Sequence, residues 1–82
     1  MTVTFILFGT SGCHLCEEAE VILANKIQQQ ELEYVDIAEQ EKWQEKYAIK
    51  IPVLYHKDSG KELFWPFSAA DVDSFVDDFQ SS

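Results

Sequence analysis

Two cysteines three residues apart, Cys13 and Cys16, are the residues of this chain whose type and spacing most directly suggest chemistry. An apolar segment, residues 3–8, and a turn of small residues, 9–12, precede them, and an amphipathic segment follows. This order predicts a strand, a tight turn and a helix with Cys13 at its first position. The free N–H groups and the positive dipole end of a helix N-terminus favour an anion, so Cys13 is placed to form the reactive thiolate. One helical turn brings Cys16 close enough to close a disulfide.

The same pair of cysteines allows two other interpretations. Cys13 and Cys16 supply two metal ligands, and a tetrahedral zinc or iron–sulfur site needs four, so a dimer would have to share its thiolates across an interface. A binding domain that keeps the fold without redox chemistry is the third hypothesis. His14 lies between the thiols, where its cation would favour a thiolate, although an exposed histidine with little effect fits the position equally well.

Length and composition restrict the class of protein. The chain of 82 residues predicts one small domain over residues 1–82 with a single core. The net charge of −9 argues against nucleic acid and anionic membrane surfaces as partners. Residues 2–9 are apolar but lack a basic n-region and a small-residue cleavage site, so we expect no signal peptide there, and no apolar run approaches the roughly 20 residues of a membrane span. A close cysteine pair in such a chain favours the reducing cytoplasm, and so small a fold needs no second copy, so we expect a cytoplasmic monomer. A redox-active pair would act on disulfide-bearing proteins or small-molecule thiols.

The spacing of apolar residues predicts strands alternating with helices. We predict strands over residues 3–8, 32–37, 51–55 and 62–65. The first helix should run from Cys13 to about residue 29, with helical apolar spacing from residue 15 onward. The second should run from a cap at Asp36 to about 48–50, and the third from a cap at Ser68. The order βαβαββα predicts an α/β fold, a three-layer sandwich around a four-stranded mixed sheet.

A proline enters the third predicted strand at Ile51-Pro52, about 35 residues after the cysteine pair. With this proline and the βαβ context of the pair, nearly the whole chain resembles the thioredoxin superfamily, most closely the short glutaredoxin-like proteins. The resemblance implies a thioredoxin-like, glutaredoxin-type fold and thiol–disulfide oxidoreductase activity in electron transport. It implies Cys13 as the nucleophile, Cys16 as the resolving residue, and a cis Pro52 beside the sulfurs. The main chain of Ile51 would pair with extended substrate.

The resemblance also concerns cofactors and substrate. It implies no tightly bound cofactor, no metal site, and glutathione as a candidate reductant. Glutaredoxins usually carry a basic residue shortly before the first cysteine, an aromatic residue between the cysteines, and a Gly-Gly pair after the fourth strand. Here residues 10–12, 14–15 and 67–68 stand at these places without those types, so use of glutathione is an open question. Asp71 matches the aspartate that follows the glycine pair, and it is equally well explained as a cap partner of Ser68. The candidate substrate-binding residues are Ile51, Pro52, His14 and Asp71.

Several other polar and aromatic residues carry weaker predictions. The acidic residues after the pair, at positions 17, 18 and 20, should complement the helix dipole and raise the thiol pKa modestly. Residues 65–67, Trp-Pro-Phe, are predicted to close one end of the core, with an apolar platform for a partner as the alternative. We predict a structural role for His56.

Overall fold

Strands and helices follow one another in the order that the sequence predicts. The structure is a computed structural model that describes residues 4–80, so Val3, where the first predicted strand begins, lies outside the described residues. The strands are β1 (Phe5–Gly9), β2 (Leu32–Asp36), β3 (Val53–His56) and β4 (Glu62–Phe64), and the helices are α1 (His14–Ala24), α2 (Glu41–Tyr47) and α3 (Ala69–Gln80).

The four strands form one mixed sheet in the order β2-β1-β3-β4. Strand β1 pairs in parallel with β2, with Leu7 opposite Tyr34, and antiparallel with β3, with Leu7 opposite Leu54. Strands β3 and β4 form an antiparallel hairpin, with Gly60 at a φ of +76° in its connection. The α/β sandwich with a four-stranded mixed sheet is therefore confirmed.

Apolar layers lie on both faces of the sheet because alternate residues of β1 point to opposite sides. Phe5 and Leu7 pack into a cluster with buried residues of α1 and α3. Phe8 packs on the other face with Tyr47 of α2, and their ring centroids are 4.7 Å apart. This two-sided burial explains why β1 reads as a continuous apolar run.

Helix α1 is shorter than predicted: it ends at Ala24 and does not continue to residue 29. Asn25 caps it, with a side-chain amide that donates to the Val21 carbonyl at 3.2 Å. A turn then follows in which the Ile27 N–H donates to the Leu23 carbonyl, which keeps Ile27 buried. Because Ile27 stays in the core, its position continues the helical apolar pattern beyond the last helical residue.

The segment before α2 also differs from the prediction. The Asp36 carboxylate accepts from the Ala38 N–H at 2.9 Å, but it caps a single 3-10 turn, Ile37–Glu39. The α-helix begins only at Glu41. The cap was correctly located, and the periodicity of Trp43 and Tyr47 belongs to a separate helix after a break.

Helix α3 begins at a capping box. The Asp71 N–H donates to the Ser68 hydroxyl at 3.2 Å, and the Asp71 carboxylate accepts from the Ser68 N–H at 2.9 Å. His56 lies buried between the hairpin and α3, with Nδ1 2.8 Å from the Ser59 hydroxyl and its ring stacked on Phe79. These contacts fit the structural role predicted for His56.

Candidate active site

Cys13 occupies the N-cap of α1, so the helix begins at the next residue, His14. The sequence predicts Cys13 itself as the first helical residue. Its Sγ accepts a hydrogen bond from the Cys16 backbone N–H at 3.1 Å. Gly12, with a φ of +75°, precedes it in the left-handed conformation that glycine adopts without strain. The sulfur of Cys13 therefore takes the place of the oxygen that usually caps a helix, facing the free N–H groups of the first turn.

The two sulfurs are joined in a disulfide, with the Cα atoms 5.2 Å apart. Cys13 is partly exposed, whereas Cys16 is only 1% exposed and belongs to the core. The asymmetry makes Cys13 the sulfur that a large substrate can reach. Cys16 remains within bonding distance of Cys13 but is shielded from other partners.

The loop before β3 forms a groove together with the cysteine turn. Ile51 and Leu15, the residue between the cysteines on the Cys16 side, both line a groove of about 400 Å³. The Ile51–Pro52 peptide bond is cis, as the resemblance implies, and Pro52 is fully buried. The structure thus brings Ile51 to the cysteine turn, and its contact with substrate remains a prediction.

The groove has an apolar rim that the sequence analysis did not single out. Ile49 is 96% exposed, and Phe64 and Leu15 are also large exposed apolar side chains. Trp65 lines the groove and is also packed against the core cluster that contains Phe67, so it fits both roles predicted for the Trp-Pro-Phe segment. Lys50 reaches over the Phe64 ring at 5.6 Å from its centroid.

The two remaining candidate residues have other local partners. His14 has an 85% exposed side chain, with Nε2 3.6 Å from the Glu18 carboxylate. The Asp71 carboxylate accepts from the backbone N–H and the hydroxyl of Ser68. Neither contact reaches the groove, so the substrate-binding roles of His14 and Asp71 stay predictions.

The turn before Cys13 is tied to the end of β2. The Ser11 hydroxyl donates to the Asp36 carboxylate at 3.3 Å. The hydrogen bond from the Ala38 N–H lowers the pKa of Asp36; desolvation opposes this, and hydrogen bonds from Thr10 and Ser11 lower the pKa further. The ionised carboxylate therefore holds the turn that presents Cys13.

A tyrosine that sequence reasoning missed approaches the buried sulfur. A methyl group placed on Gly9 would lie 2.9 Å from Tyr34 Oη and 3.1 Å from Cys16 Sγ. Tyr34 lies opposite Leu7 on the neighbouring strand, on the face that α1 covers. Only the strand register could have indicated this approach, because 18 residues separate Tyr34 from Cys16 in the chain.

Residues 4–80 contain neither a metal-binding cluster nor a membrane-spanning helix. That part of the chain contains no cluster of three or more His, Cys, Asp or Glu side chains suited to a metal ion. None of its helices combines the length and apolar character needed to cross a membrane.

Comparison with known proteins places the chain in a family. The model of the Glutaredoxin-like domain (DUF836) matches residues 4–77. The chain belongs to this family. A comparison with curated proteins gives no match to this glutaredoxin-like protein.

Solved structures of similar proteins agree with the fold. The X-ray structure of target protein XcR50 from X. campestris shares 30% identity over 90% of this chain and 96% of that chain, with a TM-score of 0.81. Protein Ne2328 from Nitrosomonas europaea shares 29% identity over 88% of each chain, with a TM-score of 0.66. Thioredoxin 1 from Thermosipho africanus TCF52B, at 18% identity and a TM-score of 0.67, covers 98% of this chain and 94% of its own, and it supports the fold alone.

Proposed function

We propose that this glutaredoxin-like protein is a dithiol thiol–disulfide oxidoreductase. The observation that carries the proposal is the pairing of a partly exposed Cys13 at a helix N-cap with a buried Cys16 in disulfide contact. The two residues differ in access and in hydrogen bonding, and a nucleophile and a resolving residue need to differ in both respects.

Cys13 performs the first step on the reduced protein. Its thiolate, stabilised by the Cys16 N–H and the N-terminus of α1, attacks one sulfur of the substrate disulfide. A bond forms between Cys13 Sγ and that sulfur while the substrate S–S bond breaks. The other substrate sulfur leaves as a thiolate and takes a proton from water.

Cys16 performs the second step. Its thiol gives up a proton to solvent, and the thiolate attacks Cys13 Sγ in the mixed disulfide. The Cys13–Cys16 bond forms and the bond to substrate breaks, so the second substrate sulfur also leaves as a thiolate. The substrate has gained two electrons and the protein has lost two, and an external thiol reductant must return them.

The groove beside Cys13 is our candidate for the substrate site. Apolar side chains line it, among them Ile51 and Trp65, and the exposed Ile49 extends it outward. Such a surface suits a disulfide flanked by apolar residues in a partner protein. The backbone of Ile51, next to the cis Pro52, would pair with an extended segment of that partner.

Glutathione is our candidate reductant, and the groove offers limited charge for binding it. Lys50 is the basic residue among the described side chains that line the groove, and it already rests on the Phe64 ring. Glutathione carries net negative charge, as does this protein, so their encounter is electrostatically unfavourable. We therefore expect a dithiol reductant to support faster turnover than glutathione at equal thiol concentration.

Substitution of each cysteine tests the proposed function. Cys13→Ser should lower the rate of protein disulfide reduction to the uncatalysed background, because serine supplies no thiolate. Cys16→Ser should still complete the first step and accumulate one mixed disulfide per protein, detectable by mass spectrometry. Equal reduction rates for Cys13→Ser and the unaltered protein would refute the proposal.

A structural control and a metal assay accompany this experiment. Val21→Ala, at an exposed position further along α1, shows whether a substitution in this helix disturbs the rate by itself. Metal analysis of protein purified under reducing conditions tests the alternative of a dimeric metal or iron–sulfur site. Stoichiometric metal held by Cys13 and Cys16 would contradict the oxidoreductase proposal.

A further inference from the structure

A tyrosine hydroxyl and the sulfur of Cys16 both lie close to the glycine that ends β1. Tyr34 Oη and Cys16 Sγ lie 2.9 and 3.1 Å from the point where a methyl group on Gly9 would be. The two atoms are therefore at most the sum of these distances apart, so a change of side-chain rotamer can bring the hydroxyl to the sulfur. Gly9 itself is buried.

The sheet register explains why Tyr34 reaches this position. Its partner Leu7 points towards α1, and in a parallel pair opposite residues share a face, so Tyr34 points to α1 as well. Cys16, Glu20 and Ala24 follow one another at four-residue spacing along the helix and form one stripe. Glu20 and Ala24 line a cavity of about 440 Å³ together with Tyr34, beside this stripe.

The burial of Cys16 suggests a chemical role for Tyr34. Cys16 is 1% exposed, so water has little access to its sulfur, and a thiolate there needs a hydrogen-bond donor from the protein. Tyr34 lies on the edge strand β2 and is 43% exposed, and its hydroxyl lies near the same point beside Gly9 as the sulfur. Tyr34 is therefore a polar side chain from which such a donor can come.

We propose that Tyr34 is a positioning residue for Cys16: in the reduced protein its hydroxyl donates a hydrogen bond to Cys16 Sγ and stabilises the thiolate that resolves the mixed disulfide. The inference rests on the proposed oxidoreductase function. The chemical step is unchanged, since the Cys16 proton still passes to solvent and Cys16 still displaces the substrate sulfur from Cys13. Tyr34 keeps its own proton throughout.

The charges around Tyr34 keep its hydroxyl protonated. Burial, followed by the negative charges of Glu20 on α1 and Asp36 at the end of β2, raises the pKa of Tyr34 above its ordinary value. A neutral phenol donates a hydrogen bond at every physiological pH. Glu20, one helical turn after Cys16 on α1, also opposes a thiolate there, which increases the need for a donor beside the sulfur.

Tyr34→Phe tests the inference because it removes the hydroxyl and keeps the ring. Without the hydrogen bond we expect the pKa of the Cys16 thiol to rise by about one pH unit, measured by the carbon NMR shift of Cys16 Cβ in the reduced protein. At pH values below the Cys16 pKa of both proteins, the variant has about one tenth of the Cys16 thiolate of the unaltered protein. Its thiolate is more basic and therefore more nucleophilic, so the resolving step should slow only about threefold. At alkaline pH, where both proteins are ionised, the variant should be about threefold faster.

Rapid mixing with an aromatic disulfide that releases a coloured thiolate, dithiobis-nitrobenzoate, separates the two steps. The first release reports attack by Cys13 and the second reports resolution by Cys16. A pH–rate profile for the second release that crosses that of the unaltered protein supports the inference. Parallel profiles with an unchanged Cys16 pKa overturn it.

Two controls complete the test: a matched tyrosine variant, and the first thiolate release, which reports attack by Cys13. Tyr55→Phe removes a partly buried tyrosine hydroxyl on the opposite face of the sheet, and it should leave the Cys16 pKa unchanged. A shift of equal size in Tyr55→Phe would overturn the inference. Failure of the first release in the unaltered protein would refute the oxidoreductase function, whereas the NMR titration of Cys16 would still decide the hydrogen bond.

Discussion

Gly9 is the residue at which backbone, resolving sulfur and tyrosine hydroxyl meet. It lacks a side chain, and Tyr34 Oη and Cys16 Sγ lie 2.9 and 3.1 Å from the position that a methyl group would take. A larger residue would have to displace one of them. The position therefore controls how closely the hydroxyl can approach the sulfur.

Gly9→Ala should separate the tyrosine from the cysteine. The new methyl group would contact Tyr34 Oη at 2.9 Å, which forces the hydroxyl away, and both side-chain atoms of Cys16 would be crowded. We expect a loss of about 1–3 kcal/mol in the free energy of unfolding, measured by urea denaturation. The Cys16 pKa should rise as in Tyr34→Phe, and a Cys16 pKa unchanged in a stably folded Gly9→Ala protein would contradict this.

Tyr47 is a fully buried tyrosine on the other face of the sheet. It donates a hydrogen bond to the Glu62 carboxylate of β4, and Lys46 Nζ lies 3.7 Å from the same carboxylate. Burial, then the hydrogen bond and the charge of Glu62, raises the pKa of Tyr47 well above its ordinary value of 10.0. This contact fastens α2 to the hairpin.

Tyr47→Phe should lower the free energy of unfolding by about 1–2 kcal/mol, because Glu62 loses a partner. The sign of the pH dependence follows from the raised pKa: the unfolded state loses the Tyr47 proton first. The stabilisation is therefore complete below pH 10 and is lost as the pH rises through the folded pKa. Urea denaturation at neutral and alkaline pH measures both effects.

Glu62→Gln is the matched variant for this pair. It keeps an oxygen that accepts from Tyr47 and removes the charge, so it should cost less stability at neutral pH than Tyr47→Phe. The Tyr47→Phe protein should also lose less stability than the unaltered protein between neutral and alkaline pH. If the Tyr47→Phe protein and the unaltered protein lose equal stability between neutral and alkaline pH, ionisation of Tyr47 is not the cause of the loss.

At the scale of elements, the sequence predicts the layers better than the ends of the helices. The apolar run of β1 and the face of α3 report burial directly, and both were located correctly. The end of α1 was wrong because Ile27 is buried from a turn and so extends the helical spacing. The break before α2 was missed because Asp36 caps a 3-10 turn with the same side chain that could cap an α-helix.

The sequence likewise predicts the local contacts of the site better than its long-range contacts. Cys13 and Cys16 are near one another in the chain, so their spacing predicts the disulfide contact. The groove with Ile51 and the approach of Tyr34 depend on which strands are neighbours and in which register. Local patterns contain no such information, and therefore Tyr34 was not among the candidate residues.

Across the whole molecule, negative charge is concentrated on the layer that carries the cysteines. Helices α1 and α3 contain acidic residues and no lysine or arginine, whereas α2 carries Lys42 and Lys46. With a net charge of −9, the field at the groove should favour cationic substrates and repel anionic ones.

Small disulfides of opposite charge measure this field. At low salt we expect the cationic disulfide cystamine to be reduced about tenfold faster than anionic dithiodipropionate. Raising the ionic strength from about 0.01 M to about 1 M shortens the Debye length from about 30 Å to about 3 Å, so the ratio should approach one. Neutral hydroxyethyl disulfide serves as the control, and a ratio that does not respond to salt would exclude electrostatic steering.

The covalent link between the cysteines spans only three positions at the start of one helix. Breaking it releases very little chain, because so short a loop restricts few conformations of the unfolded polypeptide. The architecture rests instead on the apolar layers above and below the sheet, to which Cys16 contributes as a buried side chain in either redox state. We therefore expect oxidation and reduction of the cysteine pair to leave the fold unchanged.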